Sequence, residues 1–395
     1  MLVTVLMFLL IAFFPRLMVL LVKKVSFLKM LGPVFMCYFA GILLSFPLKA
    51  LGADITLASD FSSVLICIAM PLVLFSANLP ALKKLARPML ISFAMNTAAI
   101  MLVSAAAFFL LRNQLPDAVN ISAMLIGTYT GGTPNMFAIG HGMGSPLERI
   151  LLLQTADMIG GGIYLLMLLS VLPRILKKLL PEYKFTGSGD AEQTKLYSEQ
   201  FSGEKQSVKP FRDFLSRAKT VLLACVCVAV AMGIALVIPS GYGNAGLAKL
   251  GEHTAIIMLI VTSLGIALSF IKRVRNARGS YGSGQYFILM FSMVMGLCFD
   301  LSAIAQALPV LGMLLLIQFG TILVHILLSA AGKIDYHTMM ITSTAGVFGP
   351  AFIIPVAKSL RNDEIVLPGI LCGILGYAIG NYLGLGFGGL INLLF

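Results

Sequence analysis

The sequence predicts an all-α polytopic membrane protein made of two inverted repeats, each with five transmembrane helices and one re-entrant helical hairpin. Of its 395 residues, 59% are hydrophobic and 11% are charged, whereas about a quarter of the residues in soluble domains are charged. The mean hydropathy is +0.97. The net charge of +12 could indicate a nucleic-acid partner, but basic residues grouped in short loops between apolar segments are typical of cytoplasmic loops. We therefore expect this chain to contact a lipid bilayer and not nucleic acid.

Hydropathy divides the chain into twelve apolar segments that form two sets of six. The halves are residues 1–180 and 215–395, and the polar stretch 181–214 between them is predicted to be a cytoplasmic linker because it is rich in Lys, Glu, Gln, Ser and Gly. The segments lie near residues 1–22, 31–47, 61–77, 88–111, 118–142, 150–173, 218–239, 253–271, 285–307, 308–331, 337–357 and 364–395.

Basic residues indicate whether the fifth segment of each half, 118–142 or 337–357, crosses the membrane. Lys and Arg in short loops favour the cytoplasmic side. If both segments enter and leave on the same side, the basic clusters at 23–29, 83–87 and 272–278 all lie inside together with the linker. If all twelve segments crossed, some of these clusters would face out. Five crossings per half make the halves inverted repeats and place both termini outside the cytoplasm.

Both fifth segments contain a stretch that breaks a helix, Gly127–Asn135 in the first half and Thr342–Pro350 in the second. Irregular backbone at membrane depth is tolerated only where it is buried in protein or lines an aqueous cavity. Paired interruptions in two halves are typical of a transporter's binding site. The alternative is a kinked helix whose small residues pack against a neighbour.

The first tip contains a helix-start signal, Thr133-Pro134, in which the Thr133 hydroxyl is predicted to cap the second arm of the hairpin. The positive end of that arm would favour an anion, and the carbonyl end of the first arm would suit a small cation. The second tip would contribute to the same site from the opposite side. The candidate solute-binding residues are Thr130, Gly131, Gly132, Thr133, Asn135, Ser343, Thr344, Gly346 and Gly349.

Two acids, Asp157 and Asp300, lie within apolar segments. A charged side chain at the centre of a bilayer costs about 3 kcal/mol or more, so such acids are candidates for function. The alternatives are a structural hydrogen bond for Asp157 and an interfacial position for Asp300, while His325 could relay protons or simply pack. The candidate residues for coupling to Na⁺ or H⁺ are Asp157, Asp300, Asn78, Thr128 and Thr342.

Catalytic signatures are not apparent in the sequence. It contains no recognisable pattern of a Ser/His/Asp catalytic triad, a phosphate-binding loop or a metal-binding motif. We therefore predict that the protein is not an enzyme and that it uses no cofactor beyond a coupling ion.

Short motifs carry a family resemblance. Val25–Lys29 leading into Gly32-Pro33, Ala77-Asn78-Leu79 before a basic loop, and Gly131-Gly132 at the tip resemble the sodium:glutamate symporter family. The whole chain, with its Thr-Gly-Gly-Thr-Pro-Asn tip, is more similar to the uncharacterised YjcL-like membrane proteins. The wider superfamily includes bile-acid symporters and sodium/proton antiporters. Thr133-Pro134 stands where glutamate symporters carry His-Gly, so glutamate is not implied as the substrate.

The resemblance implies a homodimer in the bacterial cell membrane, with a fixed scaffold and a mobile core that moves like an elevator. We predict a secondary active transporter that couples Na⁺ or H⁺ to the movement of a small anionic organic solute. Two alternatives stay open, namely a channel gated by re-entrant loops and a translocase for lipid or cell-wall precursors. Gradient-driven accumulation of solute would separate a transporter from a pore.

Overall fold

The computed structural model describes residues 2–24, 26–76, 87–115, 117–185, 210–237, 254–277, 279–298 and 307–394. Within these ranges the chain is helical and has no strand, which confirms the predicted all-α class. The first half contains α1 (Leu2–Lys24), α2 (Ser26–Ala50), α3 (Ile55–Phe75), α4 (Arg87–Leu111), α5 (Ala118–Gly131), α6 (Thr133–Gly142), α7 (Leu147–Ser170) and α8 (Leu172–Leu179). The second half contains α9 (Pro210–Val237), α10 (Thr254–Ser269), α11 (Lys272–Arg275), α12 (Ser280–Cys298), α13 (Ala307–Ala331), α14 (Tyr336–Phe348), a 3₁₀ turn (Gly349–Phe352), α15 (Ile353–Ser359) and α16 (Val366–Leu394).

Six of the described helices are long and apolar enough to cross a membrane, judged by length and composition. Shorter apolar helical stretches occur at 36–50, 61–75 and 256–269. The chain is thus a multi-pass membrane protein. The five crossings expected in each half, ten in total, stay a prediction. The six stretches are Val3–Val22, Arg87–Leu111, Leu147–Ser170, Phe214–Val237, Leu308–Ala331 and Val366–Leu394.

The first broken segment folds back on itself as a hairpin. Gly127 of α5 faces Asn135 of α6, and Gly140 of α6 faces Met124 of α5, so the two arms run antiparallel. Beyond the hairpin the chain returns to its starting end, where Arg149 Nε lies 3.3 Å from Asp117 Oδ2. The ends of the segment therefore lie together.

The second broken segment also returns to its starting end. Asn362 Nδ2, which follows α15, lies 2.9 Å from His337 Nδ1 in the first turn of α14. Both arms pack on α16, where Gly369 faces Ile341 of α14 and Ile353 of α15. The two halves of the chain thus share the same order of helices, with a folded-back pair before the last long helix.

The fourth long helices of the two halves, α4 and α13, pack together and run antiparallel. Near the start of α4, Ser92 Oγ lies 3.1 Å from His325 Nε2, close to the end of α13. Further along α4, Val103 contacts Gly320, which comes earlier in α13. The later residue of α4 therefore contacts the earlier residue of α13, which shows that the two helices run in opposite directions.

Glycines bring other helices of the two halves into close contact. A methyl group on Gly41 of α2 would lie 2.9 Å from the Cα of Gly296 in α12. Gly384 of α16 likewise faces the backbone oxygen of Ala123 in α5. Small residues let membrane helices approach this closely, so the core is formed by elements of both halves.

Candidate functional site

The two helix breaks lie side by side. The first is at Gly132, with φ 107°, and the second is at Gly349, with φ 67°. A methyl group on Gly132 would lie 3.5 Å from the backbone nitrogen of Gly349. Positive φ is accessible to glycine but strained for other residues, so these two positions allow the backbone to break there. The sequence predicted one site that receives both tips, and this geometry brings the tips together.

Helix α16 packs tightly against both tips. A methyl group on Gly131 would overlap the backbone of Gly376, and one on Gly373 would lie 2.7 Å from Pro350 N. Asn135 Nδ2 donates to Gly376 O over 3.2 Å, while Asn135 Oδ1 has no partner among the described residues. This contribution of α16 was not predicted from the sequence, although the spacing of Gly373, Gly376, Gly380 and Gly384 is a readable signal.

The predicted capping role of Thr133 is wrong. The N-cap of α6 is Gly132, no side chain caps the helix, and Thr133 is its first residue with Pro134 second. The cap fails because the hydroxyl-bearing residue already has helical geometry, whereas an N-cap residue must precede the helix.

Thr133 instead lines a cavity between α2, α6, α7 and α12. Gln154 also lines it, is 5% exposed, and has no partner for its Oε1 among the described residues. Every lining residue is uncharged. Besides Thr133 and Gln154, the residues that line the cavity are Val34, Tyr38, Phe137, Phe291, Ser292 and Met295.

The hydroxyl groups near the tips make hydrogen bonds within the protein. Thr128, Thr130 and Thr344 each donate to a carbonyl one turn earlier in their own helix, over 2.6 to 2.7 Å. Thr342 does so over 2.9 Å, and Ser343 Oγ lies 2.6 Å from the Tyr164 hydroxyl. A hydroxyl that donates its proton keeps oxygen lone pairs. These threonines can therefore ligate a cation but cannot donate to a solute in this conformation.

Asp157 is 9% exposed and lies in α7 beside the Tyr129 hydroxyl of α5. The two groups are close enough to interact electrostatically, but neither Asp157 Oδ1 nor Tyr129 Oη has a hydrogen-bond partner within the described ranges. The structural hydrogen bond to Thr or Asn, considered from sequence, is not seen for Asp157 Oδ1.

Two buried amide side chains lie beside the backbone of these two helices, one at Tyr129 in α5 and one at Gly160 in α7. Asn96 Nδ2 donates to Tyr129 O over 3.2 Å, at a point where Gly346 also packs against both residues. Gly160, one turn after Asp157, contacts Gln318. Asn96 Oδ1 and Gln318 Oε1 have no hydrogen-bond partner in the described part of the chain. The Tyr129 hydroxyl is thus the oxygen that lies beside this carboxyl group, while the two amide oxygens are hard ligands that lie next to Tyr129 O and Gly160.

Two of the predicted cation-coupling residues, Asn78 and Asp300, lie outside the described residues. Their roles stay predictions.

Comparison with known proteins agrees with the resemblance of the whole chain to YjcL-like membrane proteins. Residues 5–394 match the family described as "Protein of unknown function (DUF819)". The chain is 28% identical over 333 residues to the "Uncharacterized membrane protein YjcL" of Bacillus subtilis (strain 168), a match that covers 82% of this chain and 80% of that protein. The predicted relation to YjcL-like proteins is confirmed, whereas the relation to symporter families stays a resemblance. The chain belongs to the DUF819 family of membrane proteins.

Proposed function

We propose that this protein is a secondary active transporter that couples Na⁺ or H⁺ to the movement of a small anionic organic solute. The observation that carries the proposal is the meeting of two helix breaks, Gly132 and Gly349, close to a buried carboxyl group within a multi-pass membrane protein. Paired broken helices are the usual construction of a transporter's midplane site.

The cation site is centred on Asp157. A carboxylate oxygen buried without a hydrogen-bond donor is unfavourable inside a membrane unless a proton or cation neutralises it. Binding of H⁺ would neutralise the carboxylate directly. Binding of Na⁺ would use Asp157 together with the oxygen of the neighbouring Tyr129 hydroxyl, which has no partner among the described residues.

The solute site would form from the cavity lined by Thr133, Gln154 and aromatic rings, whose volume of about 10 Å³ has room for one water molecule, so its walls must separate to admit a solute. The first turn of α6 lies beside it, and its positive dipole end favours an anionic group. The apolar part of the solute would contact Phe137 and Phe291. Gln154 and Asp157 are one turn apart on α7, so a shift of α7 caused by cation binding would also move a wall of the cavity.

The inverted-repeat arrangement is supported by the antiparallel packing of α4 and α13, which hold corresponding places in the two halves. It is also supported by the two folded-back pairs, whose tips meet while their bases are tied by separate contacts, Arg149 with Asp117 and His337 with Asn362. An elevator-like motion of the tips and α16 against a dimeric scaffold is proposed from the family resemblance.

The experiment compares thermal unfolding of the purified protein and its Asp157→Asn variant across Na⁺, K⁺ and pH. A ligand at about 100 times its Kd stabilises a protein by about 2.7 kcal/mol, so the parent should unfold at a higher temperature with the coupling cation. Asp157→Asn should lose this response, whereas Asp363→Asn, at an exposed position, should keep it. An equal response in parent and Asp157→Asn would contradict the cation site.

The same assay, applied to a panel of small organic anions with the cation present, identifies the solute. Uptake into proteoliposomes then separates a transporter from a pore. We expect accumulation above the external concentration when a cation gradient is applied. Equilibration without accumulation would contradict active transport.

A further inference from the structure

Helix α8 begins where the long apolar helix α7 ends. Helix α7 has 24 residues and is about 36 Å long, which exceeds the roughly 30 Å thickness of the hydrocarbon core of a bilayer. Val171 separates the two helices, and Pro173 stands in the first turn of α8, where it lacks the N–H group that would continue the hydrogen bonds of α7. We therefore expect α8 to lie at the surface of the membrane.

Two neighbouring sides of α8 are apolar. One side packs on the protein and contains the buried side chains of Leu172 and Leu176. The next side around the helix is exposed, and Val171, Ile175 and Leu179 are 48%, 47% and 59% exposed there. Residues four apart lie on the same side of a helix, so these three side chains form one continuous apolar strip. Such a strip requires an apolar partner, because its contact with water is unfavourable.

Basic residues occupy the remaining side of α8. With a rotation of about 100° per residue, Arg174 and Lys178 lie next to the exposed apolar strip, whereas Lys177 lies on the opposite side of the helix. Lys177 Nζ lies 3.0 Å from Glu182 Oε1, while Arg174 and Lys178 are exposed and form no ion pair with a described residue. Cationic groups beside an apolar strip are the combination with which surface helices bind anionic membranes.

The segment that follows α8 is attached to the base of the second hairpin. Tyr336 N, at the start of α14, donates to Pro181 O over 3.1 Å. The Tyr183 ring stacks on His337 with the ring centroids 5.3 Å apart, and its hydroxyl donates to Glu364 Oε2 over 3.1 Å. This segment therefore contacts both ends of the second hairpin, so a partner that holds α8 also holds the base of that hairpin.

We propose that α8 binds the headgroups of anionic phospholipids through Arg174 and Lys178. The exposed apolar strip of Val171, Ile175 and Leu179 inserts among the acyl chains of the same leaflet. The guanidinium and ammonium groups donate hydrogen bonds to the lipid phosphates, while the apolar stems of both side chains extend the strip. Anionic headgroups complement these cations, whereas a second copy of α8 on this strip would bring like charges together. The bound lipids anchor the base of the second hairpin at the membrane surface.

The first measurement is the thermal unfolding of the delipidated protein in detergent, with phosphatidylglycerol or phosphatidylcholine of the same chain length. A lipid that binds the native state stabilises it, so we expect phosphatidylglycerol to raise the unfolding temperature more than phosphatidylcholine does. The double variant Arg174→Gln/Lys178→Gln should lose most of this difference.

The matched control is the double variant Lys358→Gln/Arg361→Gln. It removes the same charge from two exposed positions at the base of the second hairpin, where none of the large hydrophobic residues from Ile353 to Val366 is exposed. The control should keep the preference for phosphatidylglycerol. An equal preference in the parent and in Arg174→Gln/Lys178→Gln would overturn the headgroup site, and so would equal responses of the parent to the two lipids.

The second measurement tests what covers the apolar strip. Single cysteines, Leu179→Cys and Lys177→Cys, are introduced into a chain whose six native cysteines are replaced, and each carries a fluorophore in liposomes whose acyl chains are brominated. Bromine quenches a fluorophore on contact, so we expect strong quenching at position 179 and little at position 177. Equally weak quenching at both positions would show that protein, either the linker or a second copy of the chain, covers the strip, and would overturn the insertion of α8 into lipid.

Discussion

At the scale of single residues, Asp157 could be identified from the sequence because an acid within an apolar segment is conspicuous. Its neighbour Tyr129 could not, because a tyrosine in an apolar segment normally indicates packing, and the position of its hydroxyl depends on how α5 folds against α7. The cap assigned to Thr133 was wrong for a related reason. The Thr-Pro pair marks the start of α6 correctly, but the sharp break at Gly132 takes the N-cap position.

Tyr129→Phe tests whether this hydroxyl belongs to the cation site. The change keeps the ring, which is fully buried, and removes only the oxygen atom beside Asp157. We expect the cation-dependent rise in unfolding temperature to shrink without disappearing, since the carboxyl group stays in place.

Tyr281→Phe is the matched control. Its hydroxyl accepts from Gln285 Nε2 over 2.8 Å, and Tyr281 is also buried. The control should keep the full cation response. If Tyr129→Phe behaves like this control, Tyr129 serves only to pack α5.

At the scale of elements, the sequence predicted both broken segments closely. The predicted boundaries 118–142 enclose α5 and α6, and 337–357 falls within the observed span from Tyr336 to Ser359. Glycine and proline act locally, so their effect on a helix is readable without knowing its neighbours. The contact of the tips with α16 was not predicted, because glycines that allow helix packing look the same in sequence whether or not a partner is present.

Gly131→Ala and Gly376→Ala test this contact. Each added methyl group would overlap the backbone of the facing helix, and overpacking of this kind typically costs about 1 to 3 kcal/mol. We expect both variants to unfold at clearly lower temperatures in detergent than the parent.

Gly162→Ala, in α7, is the control because no atom lies within 4 Å of the added methyl group. It should be neutral or slightly stabilising, since alanine is favoured over glycine within a helix by roughly 0.5 to 1 kcal/mol. Tolerance of alanine at Gly131 and Gly376 would show that the tips are not packed against α16, whereas an equal loss of stability in the control would show that the loss does not come from overlap with α16.

At the scale of the whole molecule, the division into halves was predicted from hydropathy and the inverted orientation from loop charges, and both stay predictions. The structure adds contacts that connect the halves. Ser92 to His325 and Gly131 to Gly376 each join residues more than 200 positions apart. Pairings of this kind depend on tertiary packing, which a single sequence does not specify.

We propose that the two hairpins enter from opposite faces of the membrane and meet inside it. Asn113 lies in the loop before the first hairpin and Asp363 in the loop after the second, and both are exposed. Single cysteines at these positions, in a chain without native cysteines, can be treated with an impermeant maleimide in intact cells. We expect Asn113→Cys to be labelled from outside and Asp363→Cys to be labelled only after permeabilisation; labelling of both from the same side would contradict the opposite orientation of the hairpins.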